Sequence, residues 1–292
     1  MSEDCRAIIR RHSAPLTPIP TGEEPLLRRL GPLEAVLFDV YGTLLISASG
    51  DIGAGALDGR GEALAAALTA AAAPLRGPAA SALAVFNQQI QRGHQEALAG
   101  GVDFPEVDIV EVWENALAVF AARGWIAAAA GVDPRTVAVE FEVRTNPIWP
   151  MPGLLAALEG LRRGGKTLGL ISNAQFYTPQ ALWALLGRST EELGFAADLQ
   201  FYSYQHRRAK PSDALYRLAA AALQRRGIPP GRALYVGNDM RNDVAPAARL
   251  GFHTALFAGD ARSLRRRRGD PLCADAAADL VVTDLGDLLD CV

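Results

Sequence analysis

Short apolar runs alternate with helical patterns along most of the second half of the chain. Runs typical of buried strands lie at 35–40, 167–172, 199–204, 233–237 and 253–257. Apolar residues at helical spacing fill 154–163, 178–186, 212–226 and 244–250. Strands that alternate with helices predict an α/β fold with a doubly wound parallel sheet. We expect 280–282 to add an edge strand and 285–289 a final helix.

A purely helical pattern interrupts this alternation after the first strand. Apolar residues recur at helical spacing around Leu68, Phe86, Trp113 and Phe141, with breaks at proline and glycine clusters. The pattern predicts about four inserted helices, and proline-rich residues 146–153 lead back to the sheet. We predict an irregular extension with a short turn of helix at 1–32. The α/β core comprises 33–50 and 149–292, and the inserted helical domain comprises 51–148.

Composition and charge narrow the class of protein. Half of the 292 residues are hydrophobic, which allows a large core, and the net charge of −3 provides no basic field for nucleic acid or an acidic membrane surface. The four arginines at 265–268 have no aromatic residues between them and are interpreted as a solvated face. Three cysteines without metal spacing, and no apolar run long enough to span a bilayer, predict a cytoplasmic protein. A homodimer is left open.

Polar side chains follow the carboxyl ends of four predicted strands. In strand order they are Asp39 with Thr43, Ser172 with Asn173, Lys210, and Asp239 with Asp243. The carboxyl ends of parallel strands meet at one edge of the sheet, where ligands of such folds bind. We therefore expect these side chains to lie close together, although each taken alone is also typical of a turn or a helix start.

The residue types in this set support covalent hydrolysis of a small anionic substrate. Asp39 can attack an electrophilic centre and form a covalent intermediate. Ser172 can hold an anionic group, and Lys210 can neutralise charge. Asp239 and Asp243 lie four residues apart at a helix start, and with Asp39 they offer the oxygen ligands that Mg²⁺ prefers.

In order and spacing these residues resemble the four motifs of the haloacid dehalogenase (HAD) superfamily, over residues 33–257. The resemblance implies a Rossmann-like core and an α-helical cap that closes over the substrate. It implies that Asp39 is the nucleophile, with Ser172 and Lys210 as catalytic partners. The residues that it places at the substrate are Thr43 and Asn173, and those that it places at a Mg²⁺ ion are Asp39, the Tyr41 carbonyl, Asp239 and Asp243.

Two positions depart from the pattern of HAD phosphatases. Those enzymes carry a second aspartate, which acts as general acid and base, two residues after the nucleophile. Tyr41 stands there, and loss of a proton donor commonly costs a factor of about 10² to 10⁴ in rate. We keep Tyr41 as a candidate catalytic residue, although a phenol with a pKa of about 10 is a poor base. Asn238 replaces the first acid of the fourth motif, which Asp239 would supply through a shifted register.

The first motif is instead similar to that of L-2-haloacid dehalogenases, whose leaving halide needs no proton. Those enzymes work without a metal and use a cap arginine, for which Arg92 is the candidate here. The two acids of the fourth motif favour Mg²⁺-dependent hydrolysis of a phosphate monoester, with 2-haloacid dehalogenation as the alternative. A non-catalytic protein that binds a small anion or a protein partner is a third hypothesis. We place substrate selection in residues 47–51 and 88–94.

Overall fold

A six-stranded parallel sheet forms the centre of the computed structural model, which describes residues 4–48 and 59–292. The strands are β1 Ala35–Phe38, β2 Leu45–Ser47, β3 Ile148–Pro150, β4 Thr167–Ser172, β5 Phe195–Tyr202, β6 Ala233–Gly237, β7 His253–Phe257 and β8 Leu280–Val282. The sheet order is β5-β4-β1-β6-β7-β8, and β2 pairs with β3 in a separate antiparallel ribbon. The predicted Rossmann-like α/β architecture is confirmed.

Helices surround this sheet and fill the insertion between β2 and β3. In the described chain they are α1 Cys5–His12, α2 Arg60–Ala70, α3 Ala79–Ala99, α4 Ile109–Ala122, α5 Pro134–Thr145, α6 Leu154–Arg163, α7 Thr178–Leu186, α8 Ser203–His206, α9 Ala214–Arg225, α10 Ala245–Arg249 and α11 Leu288–Cys291. Helices α2 to α5 pack on one another. The Phe86 and Trp113 rings, 4.4 Å apart, and the Phe141 ring lie between them, which is why the apolar stripes of this block are buried.

Several predicted boundaries differ from the structure for local reasons. Strand β1 ends at Phe38, two residues early, because the chain turns at once and the Val40 carbonyl accepts three N–H groups. The helix predicted at 212–226 begins at Ala214, because the Ser212 hydroxyl accepts the Ala214 N–H. The helix predicted at 244–250 is shorter than expected, because a π-helical turn, Met240–Val244, comes first and α10 follows it.

The extension before β1 is more ordered than irregular chain. Helix α1 has eight residues, buries Ile8 and Ile9 completely or nearly so, and packs against α7 and α5. Further along, Leu26 and Val281 exchange backbone hydrogen bonds of 2.9 and 3.1 Å at the edge of the sheet. Within residues 4–48 and 59–292, no helix combines the length and the apolar character needed to cross a membrane.

Candidate active site

The turn after β1 presents Asp39 at the carboxyl edge of the sheet. All four residues of β1 are buried between β4 and β6, so the strand is held at the centre and its end is fixed. The turn continues through Gly42, whose φ is +85°. A Cβ at Gly42 would lie 2.6 Å from the side chains of Asn238 and Ser263. Glycine is therefore required there by both backbone conformation and space.

Lys210 joins two of the predicted carboxylates. Its Nζ donates to Oδ1 of Asp39 at 2.7 Å and to Oδ1 of Asp243 at 2.6 Å. The Ser172 hydroxyl donates to the same Asp39 oxygen at 3.0 Å. The side-chain hydrogen bonds of Asp39 with the described residues all go to Oδ1, and Asp39 lines a cavity. One carboxylate oxygen is therefore held in place while the other is available for reaction.

The charges of this cluster shift two pKa values. Burial opposes the charge on Lys210, but the Asp243 and Asp39 carboxylates outweigh it and raise the Lys210 pKa above its usual value. Burial raises the pKa of Asp243 to about 6, against the opposing charge of Lys210 and with help from that of Asp39. Two carboxylates share one ammonium group, so the cluster carries a net negative charge when all three are ionised.

This shift predicts how stability depends on pH. The pKa of Asp243 is raised in the folded protein, so binding of a proton to Asp243 stabilises the fold. This stabilisation is fully present below the ordinary pKa of 3.8 and is lost as the pH rises through about 6. The free energy of unfolding, measured by urea titration, should therefore increase from pH 7 to pH 4.5 relative to Asp243→Asn, which cannot titrate. If the free energies of unfolding of the wild type and of Asp243→Asn change equally with pH, Asp243 does not bind its proton more tightly in the folded state.

Asp239 is oriented by backbone and guanidinium donors. Its Oδ1 accepts the N–H groups of Arg241 at 2.8 Å and Asn242 at 3.2 Å, which caps the π-helical turn. Its Oδ2 accepts the Arg267 guanidinium at 2.7 Å. The Asp239 N–H in turn donates to Oδ2 of Asp243 at 2.9 Å, so both oxygens of both carboxylates have donors.

The predicted Mg²⁺ ligands have other partners in this arrangement. Residues 4–48 and 59–292 contain no group of three His, Cys, Asp or Glu side chains placed to hold a metal. The carboxylates of Asp239 and Asp243 already face N–H donors and Lys210, and a cation at Asp239 would have to displace Arg267. A guanidinium and an ammonium group thus neutralise the acids that the sequence assigned to magnesium.

The remaining predicted site residues have different surroundings. The Tyr41 hydroxyl shares a 2.9 Å hydrogen bond with Thr178 Oγ1, and burial raises the Tyr41 pKa well above its usual value, so its phenol is unsuited to act as a base. Thr43 Oγ1 donates to Asn238 at 3.4 Å. The Asn173 amide bonds both backbone groups of Lys210. Arg92 is 71% exposed, pairs with Glu96 and is outside the Asp39 cavity.

A cavity of about 1010 Å³ lies between the edge of the sheet and helices α2, α3 and α5. Its charged lining, apart from Asp39, Lys210, Asp239 and Asp243, consists of Arg60, Glu106, Glu142, Arg144, Arg241 and Arg265. Sequence reasoning missed these residues. The sequence pattern could have indicated Glu142. It shares one face of a predicted helix with three other residues that line the cavity, Ala138, Phe141 and Thr145.

The predicted selectivity loops and the arginine run also have definite positions. Ser47 and Ala48 line the cavity, as do Ile90, Gln91 and His94, whereas 49–51 lie outside the described residues. The interpretation of 265–268 as a solvated face is wrong for its first three members. All three are partly buried. Arg265 lines the cavity, Arg266 pairs with Glu23, and Arg267 pairs with Asp239.

Comparison with solved structures finds the same fold in dehalogenases. The 2-haloacid dehalogenase from Pseudomonas syringae pv. Tomato DC3000 has a TM-score of 0.55 at 18% identity, and the match covers 88% of this chain and 96% of that one. An L-2-haloacid dehalogenase has a TM-score of 0.50 at 20% identity, with 88% and 97% covered. At these identities the likeness shows the fold alone.

Comparison by sequence finds a phosphatase. The ribulose-1,5-bisphosphate 5-phosphatase of Halopiger xanaduensis (strain DSM 18323 / JCM 14033 / SH-6) is 28% identical over 142 residues, which are 49% of this chain and 56% of that protein. The chain thus matches little more than half the length of this curated relative. A family model described as haloacid dehalogenase-like hydrolase matches residues 33–251. That match covers well over half of the chain, which therefore belongs to the haloacid dehalogenase-like hydrolases.

Proposed function

We propose that this hydrolase cleaves a small phosphate monoester through a covalent intermediate on Asp39. The orientation of the Asp39 carboxylate carries this proposal. Lys210 and Ser172 hold Oδ1 at 2.7 and 3.0 Å, while Oδ2 accepts no hydrogen bond from the described residues. A carboxylate fixed at one oxygen is preorganised for attack by the other. The adjacent ammonium group of Lys210 offsets charge repulsion between this nucleophile and an anionic substrate.

The size and charge of the cavity favour a phosphate ester over a haloacid. A volume of about 1010 Å³ suits a substrate with several polar groups, and a two- or three-carbon haloacid would fill a small part of it. Arg60, Arg241 and Arg265 add positive charge to that of Lys210 around the same space. The sequence likeness to a sugar bisphosphate phosphatase also supports a phosphate ester as the substrate.

The helices between β2 and β3 are the proposed cap. Residues 51–148 form the cap and 33–50 with 149–292 form the catalytic core in this scheme, with 1–32 as an extension. Arg60 of α2 and Glu142 of α5 line the cavity from the cap, while Asp39 and Lys210 line it from the core. Substrate selection then depends on the side chains of the cap, and catalysis on the edge of the sheet.

Dependence on Mg²⁺ stays a prediction from the sequence. The chemistry that the present arrangement supports uses protein cations, since Lys210 contacts Asp39 and Arg267 contacts Asp239. One observation favours the second candidate, a metal-free 2-haloacid dehalogenase. Tyr41 stands where a phosphatase carries its acid, and its phenol is bonded to Thr178. A halide leaves without a proton, so that reaction needs no acid at this position.

A paired assay separates the candidates. The purified protein should release inorganic phosphate from an aryl phosphate, and no halide from a 2-haloacid, at pH 7. An aryl phosphate has a good leaving group and tolerates a missing acid. Each arm is run with added Mg²⁺ and with a chelator, which measures the cation requirement separately. Halide release without phosphate release would establish the dehalogenase instead, and release of neither would favour a non-catalytic binding protein.

A further inference from the structure

A carboxyl group of the proposed cap faces the same cavity as the nucleophile. Glu142 lies in the last two turns of α5, and the cavity lining includes both Glu142 and Asp39. The Glu142 carboxyl accepts the Tyr177 hydroxyl at 3.1 Å and the Asn146 amide at 3.0 Å. These two contacts fix its orientation. Burial raises the Glu142 pKa, so the neutral acid persists to higher pH than in an ordinary glutamate.

The proposed reaction has no other proton donor in the loop after Asp39. Cleavage of an alkyl phosphate produces an alkoxide unless a proton reaches the leaving oxygen. Tyr41 occupies the position where a donor is expected, but its hydroxyl shares a 2.9 Å hydrogen bond with Thr178. The site therefore needs an acid from another element.

Glu106 is a second buried carboxyl group in the cavity, and its surroundings differ. Its oxygens accept the Ser203 hydroxyl at 2.8 Å and the Val107 N–H at 3.0 Å, which tie it to the segment after β5. Glu142 is bonded to Tyr177, and Thr178, the next residue along the chain, shares a 2.9 Å hydrogen bond with the Tyr41 hydroxyl. These contacts tie Glu142 to the loop that carries the nucleophile, which distinguishes it from Glu106.

We propose that Glu142 is the general acid and base of this enzyme, in place of the carboxylate missing at position 41. This assignment rests on the proposed phosphatase function. Asp39 attacks phosphorus as the bond from phosphorus to the leaving oxygen breaks, and the Glu142 carboxylic acid gives its proton to that oxygen. The alcohol departs and leaves an aspartyl phosphate and a Glu142 carboxylate. Water then attacks phosphorus, Glu142 takes the proton of that water, and phosphate and free Asp39 are released.

Glu142 also has a structural contact that an experiment must separate from catalysis. Its bond to Tyr177 joins α5 of the proposed cap to the residue that precedes α7 of the core. Loss of this link would affect every substrate alike, because it changes how the cap sits. Loss of a proton donor would affect substrates according to the pKa of their leaving group.

The experiment compares an aryl phosphate with an alkyl phosphate in Glu142→Gln. The amide keeps the shape of the side chain but cannot give up a proton. We expect release of the alcohol in the first turnover, which precedes attack by water, to slow by about 10² to 10⁴ for the alkyl phosphate and to stay within about threefold for the aryl phosphate. Glu106→Gln is the matched control, since it makes the same chemical change at the other buried carboxyl of the cavity. It should leave the ratio of the two rates unchanged, and the Tm of each variant confirms folding.

Several outcomes would overturn the assignment. Equal losses of first-turnover alcohol release on both substrates in Glu142→Gln would show a structural role, and a selective loss in Glu106→Gln would give the acid to Glu106. A wild-type protein that cleaves the aryl phosphate but not the alkyl phosphate would also rule out Glu142 as an acid, while the proposed function stands. A wild-type protein that cleaves neither phosphate would overturn the proposed function itself.

Discussion

Asp39→Asn should lower phosphate release from an aryl phosphate by about 10⁴-fold or more and leave the protein folded. The amide cannot form the covalent intermediate, and loss of a covalent nucleophile removes nearly all of the chemical acceleration. Lys210 keeps its 2.6 Å partner Asp243 in this variant, so the buried ammonium group does not lose all its neutralising charge. The initial rate of phosphate release and the Tm are the measurements.

The matched control for this substitution is Asp198→Asn. Asp198 forms an exposed ion pair with Arg226, so the same chemical change there should leave the rate unaltered. Residual activity of Asp39→Asn within tenfold of the wild-type rate would show that another group attacks the substrate. A collapsed Tm would mean that the loss of activity reflects unfolding, and the covalent intermediate would then have to be sought directly in the wild-type protein.

Lys210→Met should produce the largest loss of stability among these substitutions. The side chain of Lys210 is 3% exposed, and its removal leaves Asp39 and Asp243 buried without their shared cation. Breaking a buried ion pair by removing one partner costs about 3–5 kcal/mol, because the remaining charge is uncompensated. For a protein of this size the Tm should fall by about 6–20 °C, and calorimetry measures it. Activity should also be lost, because Lys210 positions Asp39.

Lys166 provides the control because it is the other lysine of the chain. Its Nζ donates to the Leu33 carbonyl at 2.8 Å and contacts no carboxylate among the described residues, so Lys166→Met should cost about 1 kcal/mol. If the two substitutions lower the Tm equally, the charge cluster at the end of β1 contributes nothing beyond an ordinary hydrogen bond. If Lys210→Met keeps full activity, Lys210 does not position the nucleophile.

The convergence of the strand ends could be predicted because it depends on topology. Buried apolar runs identified the strands, and parallel pairing then places Asp39, Ser172 and Lys210 at one edge, where the structure joins them by bonds of 2.7 and 3.0 Å. The exact ends of strands and helices could not be predicted in the same way. Where β1 stops, and where α9 starts, depends on backbone turns and on a hydroxyl cap that a hydrophobic pattern does not record.

The partners of the acids could not be predicted because they come from distant segments. Arg267 follows Asp239 by 28 residues, and its charged neighbours in sequence favour a solvated loop. Only the packing of that loop against the end of β6 brings the guanidinium to Asp239, and this contact changes the expected metal site. Arg92 shows the converse error, since the helix that carries it turns the side chain to solvent. Chemical type suggested these residues, but tertiary packing decides their contacts.

Detection of the covalent intermediate is the most direct test of nucleophilic attack by Asp39. The protein would be mixed with less than one equivalent of an aryl phosphate, quenched in acid within one turnover, digested and analysed by mass spectrometry. A transient phosphoryl group is expected on the peptide that contains Asp39, and none is expected in Asp39→Asn. Release of phosphate without any modified peptide, or a phosphoryl group on another residue, would contradict the role of Asp39.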